Sequence, residues 1–141
     1  MGITNLAKTL IETISAWPSI TVHPHQFLAQ EFRFGKAEIG HVHSWGVVDI
    51  PFTRAIHSFL VENRLAEQHQ WLPDSGWTTF HMRSANDLEH ALWLMRISYL
   101  RYELKSHSDA SALLRVESER LHLQPELSVL LSHGRSKTPV S

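Results

Sequence analysis

A chain of 141 residues, 43% of them apolar and 19% charged, has the size and balance of one globular domain with a real core. It contains no cysteine, which excludes disulfides, thiolate metal sites and a cysteine nucleophile. Thirteen basic residues against 14 acidic ones leave a net charge of −1, too little positive charge to track phosphates, so nucleic acid is not an expected partner.

Along the chain, Ile3, Leu6, Leu10, Ile11 and Ile14 recur at helical spacing, so residues 3–16 read as an amphipathic helix that Trp17-Pro18 ends. Polar residues interleave this segment, which carries no basic n-region, so the expectation is that it is not a secretory signal. With no apolar run of about 18 residues anywhere, the expectation is a cytoplasmic protein without a membrane partner. Between Ile20 and Ile50 the periodicity changes to 2. Glu31–Phe34, Ala37–His43 and Gly46–Ile50 read as strands of an antiparallel meander, while His23-Pro24-His25 reads as a loop able to bind metal only adventitiously. Thr53 caps a helix carrying Ile56, Phe59 and Leu60 that ends near Asn63. Gln68–Leu72 and Trp77–Met82 flank Pro73-Asp74-Ser75-Gly76 and read as a hairpin, in which His69 faces Phe80 and need not share a face with His81. Ser84 and Asp87 have capping-box spacing and open the strongest helix, 85–104, apolar on so many sides that it must lie buried across the sheet. Two further helical stretches run from Ser108-Asp109 to Leu123 and from Pro125 to Leu131.

The predicted fold class is α+β: an antiparallel sheet of about five or six strands, helices mainly on one face, and a C-terminal helical extension. The division is a domain over 1–105, an extension over 106–132 and a flexible tail over 133–141. The extension carries Leu113, Leu114, Leu121, Leu127, Leu130 and Leu131, which either pack onto the domain, the plainer reading, or form a homodimer or partner surface.

Eleven histidines are many for this length. His41 and His43, two apart in a strand, project side by side; such a pair can ligate a metal or divide the labour of base and donor, or be no more than a solvated sheet face. Ile39 on the same face favours half-burial. Asp49, a carboxylate in an apolar strand, needs a partner; it either orients one of these histidines or accepts backbone N–H bonds near the next helix. Trp45 and Trp77 are candidate pocket walls, though core is the plainer reading of an isolated tryptophan. His57, His90, His107, His122 and His133 read as surface or satisfied residues. Dinucleotide, nucleotide, zincin and serine-hydrolase signatures are all absent.

The run Phe32-Arg33-Phe34-Gly35, Glu38-Ile39-Gly40-His41-Val42-His43, Gly46, Asp49-Ile50-Pro51-Phe52, His69, Ser75-Gly76-Trp77 and the helix to Tyr99 resembles the luciferase-domain family, over about residues 15–102. The family is named for the fungal luciferase, an oxygenase of a hydroxylated styryl-pyrone. Glu38, His41, His43, His69, Trp77 and Thr78 are the positions the resemblance carries over, and it departs at Asp49, in spacing and in the absence of a hydrophobic N-terminal segment. It implies the domain and not light emission. A fainter similarity, in element order, is to the MmcQ/YjbR-like fold. The reading that follows is a small-molecule oxygenase or oxidoreductase acting on a planar, enolisable ligand. His41, His43 and His69 would be the catalytic acid, base and oxyanion donors, and Glu38, Trp45, Asp49 and Trp77 would bind substrate. No cofactor is assigned; a variant places a divalent metal on His41, His43 and His69. The alternative is a non-catalytic binding module using the same cleft.

Overall fold

The computed structural model describes residues 2–133. Among these, six strands form one antiparallel sheet in the order β1-β2-β3-β4-β6-β5, and five helices accompany it. The order of elements is α1 (Ile3–Ser15), β1 (Ile20–His25), β2 (Ala29–Phe34), β3 (Ala37–His43), β4 (Val47–Pro51), α2 (Arg54–Glu62), β5 (Glu67–Gln68), β6 (Trp77–His81), α3 (Ala85–Ser106), α4 (Ala110–Arg120) and α5 (Pro125–His133). The α+β expectation is met. None of the described helices is long and apolar enough to cross a membrane.

The helices sit where the apolar stripes require. Leu6, Leu10 and Ile14 of α1 and Leu94, Met95, Ile97 and Leu100 of α3 are fully buried in one cluster with Phe32, Val42, Val48 and Ile50 of the sheet. Mid-helix Ser98 is tolerated in this core because its Oγ donates to the Ile39 carbonyl, 2.8 Å away, tying α3 to β3. Thr53 caps α2 by accepting from the Ile56 N–H at 3.2 Å, worth about 1 kcal/mol. At the start of α3 the Asp87 carboxylate reaches back to the N–H groups of Arg83 and Ser84. The C-terminal helices pack onto the same domain: Leu123, Leu127 and Leu131 belong to its core, and Trp93 of α3 donates to the Leu121 carbonyl at 2.9 Å.

Four local expectations are corrected. His23-Pro24-His25 is not a loop but part of β1, an edge strand where proline removes no needed donor. The hairpin is shorter than predicted: β5 has two residues, the connection runs through 69–76, and His69 lies opposite Trp77, its N–H bonded to the Trp77 carbonyl at 3.3 Å, instead of opposite Phe80. His57 is buried, with no hydrogen-bond partner for Nε2 among the described residues, and burial pushes its pKa down. His133, placed in a tail, is the last residue of α5; the rest of that tail, 134–141, falls outside the described residues.

Candidate functional site

With helices on one face, the other face of the sheet is open, and alternation decides what it carries. The registers Glu31↔His41, His41↔Asp49 and Asp49↔Thr79 put these four side chains on that face, with His43 two residues from His41. Glu38, three residues from His41, would point the other way in a regular strand. Here the β2–β3 pairing slips: Phe32 pairs with Gly40 but Arg33 with Glu38, leaving Ile39 as the extra residue of a bulge. The bulge swings Glu38 to the His41 face, and Ile39 is fully buried in the core cluster rather than beside His41 as expected. Gly40 permits the bulge. Its φ is +154°, and a Cβ there would come within 2.7 Å of Met95 Sδ and 3.1 Å of the Asp49 carbonyl oxygen.

Asp49, only 5% exposed, is the centre of the cluster. Its Oδ1 accepts the Thr79 hydroxyl at 2.7 Å, and its Oδ2 faces His41 Nε2 at 3.1 Å and His43 Nε2 at 3.3 Å. The far nitrogen of each ring is also held. His41 Nδ1 is 2.6 Å from Glu38 Oε2, and His43 Nδ1 donates to the Phe27 carbonyl at 3.2 Å. His69 arrives from the loop; its Nδ1 accepts the Trp71 N–H at 3.2 Å, which leaves the proton of the neutral ring on Nε2, 3.7 Å from Asp49 Oδ1. Behind His41, the His25 ring stacks at 4.1 Å between centroids and bonds Glu31 at 2.8 Å.

Burial disfavours a charged His41, but the hydrogen bonds to Asp49 and Glu38 and their negative charges outweigh it, raising its pKa to about 9. Asp49 is likewise pushed up by burial, yet hydrogen bonds from His41 and Thr79 and the charges of His41 and His69 hold it below the ordinary carboxylate value. The metal-free cluster is therefore an imidazolium clamped between two carboxylates, and neither ring nitrogen of His41 has a free lone pair.

A cavity of about 500 Å³ opens over this cluster. His43, Asp49, His69, Thr79 and His81 line it together with Trp45, Trp71 and Phe27, so His69 and His81 do share a face. Phe27, Trp45 and Trp71 are 71%, 51% and 76% exposed, an apolar rim around a polar floor. Trp45 stacks on His43 at 4.6 Å. A larger cavity of about 670 Å³ beside Trp17 and Trp93 lies between α3 and the C-terminal helices, but its guanidinium groups, Arg96 and Arg120, are occupied by Glu117.

All seven predicted site residues meet in this region. His43, Trp45, Asp49 and His69 line the cavity; His41 and Glu38 sit behind it, and Trp77 lies 5.5 Å from His41 and 6.3 Å from His69 between ring centroids. Sequence reasoning missed His25, Phe27, Glu67, Trp71, Thr79 and His81. The alternation Thr21, His23, His25 against Ile20, Val22 was a usable strand signal for the first of these.

The model of the Luciferase domain family matches residues 36–98. Over that segment the chain is similar to the Luciferase domain family. The matched segment is narrower than the 15–102 resemblance, running from β3 into α3, yet it holds all seven predicted site residues. The bulge, the His41-x-His43 pair and the Asp49 strand all fall within the matched segment. No curated protein and no solved structure gives a match.

Proposed function

We propose that this protein, similar over residues 36–98 to the Luciferase domain family, is a dioxygen-dependent oxidoreductase acting on a planar, enolisable small molecule. The observation that carries the reading is the pairing of an aromatic rim with a floor on which three histidines converge on one buried carboxylate. Trp45 and Trp71 offer faces on which a flat ring stacks while water is excluded. Nε2–H of His69, fixed in that tautomer by the Trp71 N–H, is a donor for the substrate oxygen as negative charge develops. His41, engaged at both nitrogens, positions the floor and is not the base.

The proton acceptor in this reading is His81. It lines the cavity, its Nδ1 makes no hydrogen bond among the described residues, and Glu67 stands 3.7 Å from that atom, able to retain a proton there and leave Nε2 as the base. Removing the enol proton gives an electron-rich enolate. The enolate carbon then forms a bond to dioxygen, the oxidant, and the returned proton completes a hydroperoxide of the substrate.

Oxygen uptake with a panel of hydroxylated pyrones tests the reading. The wild-type protein should consume oxygen and pyrone one for one. His81→Gln should lose turnover about 10²-fold or more while still binding the pyrone. Pyrone binding by the wild-type protein without oxygen uptake would overturn the proposal and make the cavity a binding module.

A further inference from the structure

We propose that His41 Nε2, His43 Nε2 and Asp49 Oδ2 together bind one divalent first-row transition metal ion, iron(II) foremost, with its open positions toward the cavity. The inference deepens the function proposed above, and rests on it for the claim that those open positions receive substrate.

Three observations carry it. The first is spacing. Bonds of about 2.1 Å at right angles place neighbouring donor atoms about 3.0 Å apart, and the two nitrogens lie 3.1 and 3.3 Å from Asp49 Oδ2, with all three donor atoms within 4.8 Å of one another. The second is the hydrogen-bond inventory. The Phe27 carbonyl can only accept, so His43 Nδ1 carries a proton and the neutral ring turns a lone pair toward Oδ2. His41 is held in the same way, with Glu38 at its Nδ1, so that a metal ion taking the place of the proton on Nε2 would meet a lone pair aimed toward Oδ2. One oxygen therefore faces two ring nitrogens, and either two imidazolium protons crowd onto it or one cation satisfies all three atoms.

The third is the outer layer. Every donor group has its other atom fixed: His41 by the Glu38 carboxylate, His43 by the Phe27 carbonyl, and Asp49 by the Thr79 hydroxyl on Oδ1. Acceptors behind ligating histidines and a hydrogen bond to the ligating carboxylate are the usual orienting shell of a metal site. Two imidazoles and one carboxylate with open positions is the donor set of non-haem iron(II) oxygen chemistry. The three-histidine alternative with His69 fits less well, because its Nδ1 already accepts the Trp71 N–H and its Nε2 must then keep the proton. Glu38 is also placed outside the donor set, since it is bonded to the nitrogen of His41 that points away from Asp49.

The test uses the full chain, purified without chelator in the absence of oxygen, then stripped and titrated separately with Fe(II) and with Co(II) as a visible probe. Elemental analysis should find one equivalent per chain, with Co(II) absorption bands. Both should weaken at least tenfold in His43→Ala and Asp49→Ala and persist in His133→Ala, a surface change. Fe(II) should also raise the melting midpoint of the wild-type protein, reversibly with chelator, a reading that needs no variant to fold. Failure of the wild-type chain to bind either ion, or one equivalent that survives both site variants, would overturn the inference. One equivalent bound without oxygen uptake leaves the metal site standing and removes the function it serves. Oxygen uptake by a wild-type chain that takes up no metal does the reverse.

Discussion

Asp49 on the open face and Glu117 on α4 are both buried carboxylates ringed by basic side chains, and they are satisfied in opposite ways. Glu117 holds Arg120 through both oxygens, at 2.7 and 3.1 Å, and lies 3.5 Å from Arg96. Guanidinium groups stay charged at any ordinary pH, so this cluster has one state and ties α4 to α3. The basic partners of Asp49 are instead all imidazoles, whose charge depends on protons. The first arrangement holds helices together; the second can change its charge and bind. That contrast is the reason the proposed function is assigned to the open face and not to the larger cavity on the helical side.

The largest effect on stability should come from the glycine that builds the open-face cluster. Gly40→Ala meets Met95 and the Asp49 carbonyl at an unfavourable φ, and should cost about 3 kcal/mol in urea unfolding. It should also undo the Glu38–His41 contact; an unchanged midpoint would show that the bulge tolerates a side chain. Glu117→Gln should cost less, about 1–2 kcal/mol, because half of Arg120 is exposed and solvent screens it.

The pH dependence sharpens the same comparison. The hydrogen bond from Arg120 is the main cause that holds the Glu117 pKa below its ordinary value of 4.5. Its contribution to stability is therefore present above about 4.5 and lost as pH falls through the lower folded value. His41 runs the other way in metal-free protein: its pKa is raised from 6.5 to about 9, so its contribution is full below 6.5 and lost as pH rises through 9. Melting midpoints across pH should show both limbs, with only the acid limb flattened in Glu117→Gln. The smallest stability effect belongs to the rim. Trp71→Ala should change stability by less than about 0.5 kcal/mol, since Trp71 is 76% exposed, yet raise KM for a planar substrate.

Much of this was legible in the chain. The stripe of α1, the Thr53 cap and the Ser84–Asp87 pair are local signals, written within a few residues, and β3 emerged with its predicted ends at Ala37 and His43. Convergence of His41, His43 and Asp49 also followed from period 2 once the strands paired in sequence order. What escaped depended on distant partners. His25 reaches His41 only because β1 pairs with β2 along its whole length, and Glu38 reaches it only through a register slip that no local pattern announces. His69 and His81 came to share a cavity because the hairpin pairs two residues at β5 and leaves the rest as loop.

Oxygen consumption by Asp49→Asn and Glu117→Gln, measured side by side with a hydroxylated pyrone at a pH where both fold, tests the division of labour most directly. Each change removes one buried negative charge with little change in volume. The account predicts that Asp49→Asn loses turnover at least 10²-fold while Glu117→Gln keeps it within about twofold. Equal losses, or an active Asp49→Asn protein, would contradict it.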